Sequence, residues 1–198
     1  TNAEDLRGFN GAGLYDTLPN ITSEHALEAA VKQVWASVWN WRAVEERAHF
    51  GIVDTSVYPA VLIQTAVSAS AAGVLLTTDI WGHQPNNFTI NAKWGLGMRV
   101  VEGQKIPEQV IYDTVNQGVR IISRADEASM LVFSAEGGVL EKAIPIRQPI
   151  LTEARARKIG EAAQLILPAF SADSALDIEW VLEGEKVWIV QARPYVAK

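Results

Sequence analysis

The sequence contains no cysteine in 198 residues. A disulfide framework, a thiolate zinc site and a cysteine nucleophile are therefore excluded. The absence fits a reducing compartment, and a cytoplasmic protein is expected. No run of about 18 apolar residues occurs, so no membrane span is expected. Positive charge is short as well: 17 Lys and Arg face 23 Asp and Glu, for a net charge of −6. Nucleic acid and anionic membranes need a basic face, and neither is an expected partner. A phosphate ligand needs only a few local donors and stays open. Histidine is limited to His25, His49 and His83, at no metal-ligand spacing. The first residue is Thr1 and no signal-peptide pattern follows, so the chain reads as a piece of a longer protein. What is present is ordinary: 48% hydrophobic and 20% charged residues, a globular composition long enough for one domain or a tight pair of subdomains.

Residues 1–21 are loop-like, with Gly8, Gly11 and Gly13 close together. Thr22 or Ser23 can cap the helix that follows. From Glu24 to Phe50, Leu27, Val31, Val34, Val38 and Trp41 recur in steps of three and four, which predicts one helical face ending near Gly51. Trp35 and Trp39 lie one turn apart on it and read as a packing stripe, and the seven tryptophans are expected mostly in the core. Strands are predicted at Ala60–Val67, Gly73–Thr78, Phe88–Lys93, Val110–Tyr112, Val119–Ser123 and Met130–Ser134. Gly95-Leu96-Gly97 and Glu136-Gly137-Gly138 read as turns, and Pro145 to Pro149 as a linker. Thr152 opens a second long helix with Ile159, Ala162, Ala163, Leu165 and Ile166 as its apolar stripe, ended by Pro168. A hairpin of Ala175–Leu182 and Lys186–Arg193 closes the chain. Segregated strands and two long helices predict an α+β fold with a mainly antiparallel sheet. The expected division is residues 1–57, glycine loop plus helix, and 58–198, the sheet with its closing hairpin.

The hairpin carries the most chemistry. With a three-residue turn at 183–185, Asp177 faces Gln191. Period two then puts Asp177, Glu179, Gln191 and Arg193 on one face and Ile178, Trp180, Trp188 and Val190 on the other. Carboxylate and amide oxygens suit Mg²⁺, and arginine suits phosphate. A surface hairpin with an ordinary carboxylate–arginine pair fits the same spacing. Gly11-Ala12-Gly13 fits neither a P-loop nor a Rossmann fingerprint. It is a plain turn or a loop whose amides approach phosphate, with Asp16 and Thr17 adding polar contacts. Arg42, beside an apolar helix face, wants an anion. His25 and His49 read as solvated helix residues, and His83 as a loop residue able to touch a ligand.

In order along nearly the whole chain, TNAEDLRGFNGAGLYDTLPN, VWASVWNWRAVEERAHFGI, AGVLLTTD, WGLGMRVVEGQKIPEQVIYD and ALDIEWVLEGEKVWIVQARP resemble the nucleotide-binding domain of the dikinases. That family includes phosphoenolpyruvate synthase, pyruvate,phosphate dikinase, glucan water dikinase and rifampicin phosphotransferase. The resemblance implies the second half of an ATP-grasp-like domain that binds ATP and Mg²⁺. It implies transfer of the β-phosphoryl of ATP to a histidine on a separate domain of the same polypeptide, and then to an acceptor, pyruvate being favoured. A glucan or antibiotic acceptor, or an inactive nucleotide-binding module, are the alternatives. Carried over by position, Glu179 and Gln191 match the metal and nucleotide ligands and Arg193 the phosphate-binding arginine. Asp177 matches the acid two before the Glu. Gly11, Gly13, Asp16 and Thr17 fall in the glycine loop, Arg42 on the arginine of the Trp-Ala-Ser helix and Thr77 on a strand-end Thr. Gln64–Val67 matches the strand that passes the adenine. Arg42 and Arg193 are the implied catalytic pair. Arg7, Met98 and the Asp79–His83 segment depart from the family pattern. The fragment alone is expected to be inactive, and its exposed half-cleft to favour self-association.

Overall fold

Two stretches of helix replace the single one expected in the N-terminal third. A computed structural model describes every residue except 4, 7, 8, 12, 83, 99–105, 145–147, 172, 173 and 196–198. Expectations for Gly8, Arg7, His83 and much of the 145–149 linker lie outside the described residues. The rest divides into two compact units, residues 1–66 with 133–139, and residues 67–132 with 140–198.

In the first unit, strands β1 (Asp5–Leu6) and β2 (Phe9–Asn10) pair antiparallel. Ser23 caps helix α1 (Glu24–Ala36), its hydroxyl accepting the Ala26 amide at 3.2 Å. The helix tightens to a 3₁₀ turn at Ser37–Trp39 and leaves helical geometry at Asn40, where ψ is 139°. Helix α2 (Trp41–His49) then starts afresh. Polar side chains cause the break. Ser37 donates back to the Val34 carbonyl at 2.7 Å, and Asn40 reaches away to Asp16 at 2.9 Å. The single apolar face is lost with it, and Trp35, Trp39 and Trp41 are 49%, 60% and 78% exposed. They are not a packing stripe. Gly51, at φ 68°, stops α2 as expected, its amide donating to the Ala48 carbonyl at 3.1 Å.

Ala60–Val67 forms no strand. Its apolar side chains find no neighbouring ladder, and Leu62 is 85% exposed. An apolar, β-branched run predicts a strand only where a partner edge exists to receive it.

The second unit is built on a six-stranded antiparallel sheet. Its strands are β3 (Ala71–Leu76), β4 (Asn87–Trp94), β5 (Glu108–Asp113), β6 (Val119–Ser123), β9 (Leu176–Glu183) and β10 (Lys186–Pro194). The order is β10-β9-β3-β4-β5-β6, so the closing hairpin returns to lie beside β3. A two-stranded ribbon, β7 (Ser129–Phe133) and β8 (Val139–Ala143), leaves this unit and turns at Gly137 and Gly138, both at positive φ, in the segment 133–139 that belongs to the first unit. Helix α3 (Glu153–Ile166), capped by Thr152, covers one sheet face. Leu75, Phe88, Ile90, Val110, Tyr112, Ile178 and Trp180 pack there with Ile159 and Ala163. Gly160 lets the helix come close: a Cβ there would sit 2.3 Å from the Tyr112 ring. Leu165 was expected in the stripe but is 82% exposed, because the buried face runs through Ala156, Ile159, Gly160 and Ala163. Trp180 is the one fully buried tryptophan among the described residues.

Candidate functional site

The hairpin turn is shorter than its sequence suggests. Glu183 pairs with Lys186, leaving only Gly184 and Glu185 in the turn, with Gly184 at φ 60°. Asp177 therefore faces Arg193, not Gln191, and Glu179 faces Gln191. The ladder slips between Ile189 and Gln191, with Val190 as the extra residue. The shorter turn puts Val187 and Ile189 on the core side and turns Trp188 to the face of Glu179, correcting the expected apolar face, and the slip returns Gln191 and Arg193 to that face. Asp177 and Glu179 alternate with the buried Leu176, Ile178 and Trp180. With Gln191 and Arg193 they occupy the face turned away from α3.

Arg193 is held on this face by charge. Its Nε and Nη2 donate to Asp177 Oδ2 at 3.2 and 3.1 Å. Asp177 Oδ1 is buried without a hydrogen-bond partner. Burial pushes the Glu179 carboxyl above the usual carboxylate range; the Asp177 charge adds to this and Arg193 opposes it. A positive charge arriving beside Glu179 would act in the same direction as Arg193 and favour its ionised form.

Thr77 extends the β3–β9 ladder beyond its end. Its amide donates to the Leu176 carbonyl at 3.0 Å and its hydroxyl accepts the Leu176 amide at 2.7 Å. Thr77 thereby anchors the strand that carries Asp177. Val67 is half-buried in irregular backbone before β3.

The remaining expected residues belong to the first unit. Gly11 is buried and its carbonyl accepts the Leu14 amide at 3.0 Å, while Gly13 takes φ 74°. Asp16 accepts from Gln33 at 3.3 Å and from Asn40 at 2.9 Å, which ties the glycine loop to α1 and its break. Thr17 and Gln64 are exposed. Arg42 is exposed on α2 and not half-buried. The buried arginine is Arg47, paired with Asp54 at 2.7 Å and lying under the Trp39 ring at 6.0 Å.

Sequence reasoning also missed polar residues in the middle of the sheet. Thr89, Asn91 and Lys93 alternate with the core residues Phe88, Ile90 and Ala92, so period two was the available signal. Trp81 Nε1 donates to Gln109 Oε1, and Gln109 Nε2 donates to Asn91 Oδ1, both at 2.7 Å. The loop that presents Trp81 is pinned by the buried Asp79, whose Oδ1 accepts the amides of Trp81 and Gly82 at 2.9 Å. These bonds, the Gly82 amide foremost, hold the Asp79 carboxyl below the usual range.

Among the described residues no group of three His, Cys, Asp or Glu could hold a metal by itself. Glu179 and Gln191, adjacent across one ladder, offer two hard oxygens and leave the other positions of a cation to water or phosphate. No helix among the described residues is long and apolar enough to cross a membrane.

The sequence matches, over residues 1–198, the family described as pyruvate phosphate dikinase, AMP/ATP-binding domain. It is 29% identical to a probable phosphoenolpyruvate synthase of Archaeoglobus fulgidus over 97% of this chain and 25% of that protein. It is likewise 29% identical to the phosphoenolpyruvate synthase of Pyrococcus furiosus over 97% of this chain and 25% of that protein. Identity to a rifampicin phosphotransferase of Streptomyces sviceus is 34%, over 97% of this chain and 22% of that protein. The chain spans about a quarter of the length of these relatives.

Proposed function

Because the chain belongs to the pyruvate phosphate dikinase AMP/ATP-binding domain family, we propose that it is the ATP-binding part of a dikinase with an ATP-grasp-like site. Its whole protein transfers the β-phosphoryl of ATP to a histidine on a separate domain and from there to pyruvate. One observation carries this reading. Asp177, Glu179, Gln191 and Arg193 share the open face of one hairpin, in register, as two facing pairs.

Each residue then has a task set by its chemistry. Glu179 and Gln191 hold Mg²⁺, which neutralises phosphoryl charge when bound. Arg193 donates to phosphoryl oxygens, and Asp177 keeps its guanidinium on the face. Gly11, Gly13, Asp16, Thr17, Arg42, Gln64, Val67 and Thr77 are proposed as further nucleotide contacts or supports.

Phosphorus NMR of ATP with the full-length protein and Mg²⁺ tests the reaction. AMP appearing with phosphate, faster with pyruvate, is expected; ADP as the only product would overturn it. Glu179→Ala and Arg193→Ala should each weaken Mg-ATP binding at least about tenfold by calorimetry. Unchanged affinity in both would remove the site assignment. The identity to rifampicin phosphotransferase favours a second reading, in which the acceptor is an antibiotic. Acceleration by rifampicin and not by pyruvate would select it.

A further inference from the structure

Trp81, Gln109 and Asn91 form a hydrogen-bond chain with a fixed sense. An indole N–H donates and cannot accept. Trp81 Nε1, at 2.7 Å, therefore demands the oxygen end of the Gln109 amide. The nitrogen end of that amide must then face Asn91, and it demands the Asn91 oxygen, again at 2.7 Å. The usual ambiguity between amide oxygen and nitrogen is removed by the indole at the head of the chain. Gln109 is only 8% exposed, and reversing it would set its amide N–H against the indole N–H at one end and its oxygen against the Asn91 oxygen at the other. The chain ends on Asn91 Nδ2, a donor turned away from Gln109 that no described residue accepts.

The register shows what that donor overlooks. Asn91 pairs with Val74, Val74 with Glu179 and Glu179 with Gln191, in one row across four strands. Alternation puts Asn91 on the open face, opposite the buried Ile90 and Ala92. At about 4.8 Å per strand, Asn91 lies roughly 10 Å from Glu179 along the row. A nucleotide can bridge that span and a lone cation cannot. An outward donor recognises an acceptor, so Asn91 is set up for an anionic oxygen and not for a metal.

We propose that Asn91 donates to a phosphoryl oxygen of the bound nucleotide, with Gln109 and Trp81 as positioning residues that keep its Nδ2 outward. The proposal rests on the reading that Mg-ATP lies over the Glu179 row.

Calorimetric binding of Mg-ATP and of AMP to the full-length protein tests it. Asn91→Asp keeps the shape and the oxygen that accepts from Gln109, and replaces the donor by an acceptor. It should weaken Mg-ATP at least about tenfold. An accompanying loss for AMP assigns the contact to the α-phosphoryl, and an unchanged AMP affinity assigns it to a distal one. Trp81→Phe adds no charge and frees Gln109 to turn; it should weaken Mg-ATP about threefold. Combined with Asn91→Asp it should add nothing, whereas a merely structural tryptophan would add its full effect to the double variant. Glu179→Ala separates the two readings. If it loses Mg-ATP affinity while Asn91→Asp keeps it, the present proposal falls alone. If both variants keep it, the nucleotide does not lie on this face and both readings fall.

Discussion

At the scale of single residues, Glu179 is the group whose charge has the most consequence. Burial first and the Asp177 charge second favour its neutral form, with Arg193 pulling the other way, and the net direction is upward. A carboxyl raised on folding contributes its stability at low pH, where it is protonated in both the folded and the unfolded state. That contribution is lost as pH rises through the raised folded value. In the nucleotide-free protein, Glu179→Gln should therefore raise the thermal midpoint at pH 7, with a smaller gain at pH 4. A lowered midpoint at pH 7 would show that the ionised carboxylate is well solvated. Binding has the opposite sign. Mg-ATP affinity should increase with pH through the same range, with protons released on binding, and Glu179→Gln should flatten that dependence. Calorimetry in two buffers of different ionisation heat measures both. That Glu179 shares a face with Asp177, and Gln191 with Arg193, was legible in the sequence, because alternation in a strand is a rule of geometry; that the two pairs share one face rests on a bulge that offsets the shorter turn. The raised carboxyl of Glu179 was not legible, because burial depends on neighbours brought by other strands.

Among the elements, helices and strands were legible where a local pattern met a partner. Thr152 and Ser23 cap their helices as their hydroxyls predict. The Val119–Ser123 strand has the expected bounds. The helix break at Ser37–Asn40 was hidden, because apolar periodicity carried on through residues whose polar side chains compete with the backbone. The hairpin register was hidden for a different reason. One bulge at Val190 offsets a shorter turn, so the polar set stays together while Trp188 changes sides. Two substitutions in α3 separate periodicity from packing. Leu165 fits the apolar stripe on spacing, and a core Leu→Ala costs about 2–5 kcal/mol. Being 82% exposed, Leu165→Ala should cost less than about 0.5 kcal/mol. Gly160→Ala should do the reverse of what propensity suggests. Alanine is worth about 1 kcal/mol in a helix interior. Yet its Cβ would lie 2.3 and 2.4 Å from Tyr112 ring carbons, in a core that also holds Phe88 against that ring. Overpacking of about 1–3 kcal/mol or more should win, and urea denaturation should show a lowered midpoint. A raised midpoint would mean that α3 has room to retreat from the sheet.

For the molecule as a whole, stability should be uneven, because the two units bury very different cores. The second unit holds one continuous cluster of sixteen buried apolar residues between the sheet and α3. The first holds two separate clusters of three, Ala3 with Val38 and Val57, and Phe9 with Leu14 and Ala43. Each fully buried aliphatic or aromatic side chain contributes about 1.5–3 kcal/mol. Two of the six residues in the small clusters are alanines with little area to remove from water. The first unit also spends helix on exposed tryptophans, and its one buried cation among the described residues, Arg47, is neutralised by an Asp54 that is 38% exposed. Local opening should therefore precede global unfolding. Native-state hydrogen exchange is the direct measurement. Amides of α1 and α2 should exchange through an opening at least about 3 kcal/mol cheaper than that of β3 and β4, which is a protection difference of more than about a hundredfold. Their exchange should also be insensitive to low urea while the strand amides follow the global slope. Equal protection, with one slope for all amides, would mean that the small clusters are held by the larger core and that the chain unfolds as one cooperative body.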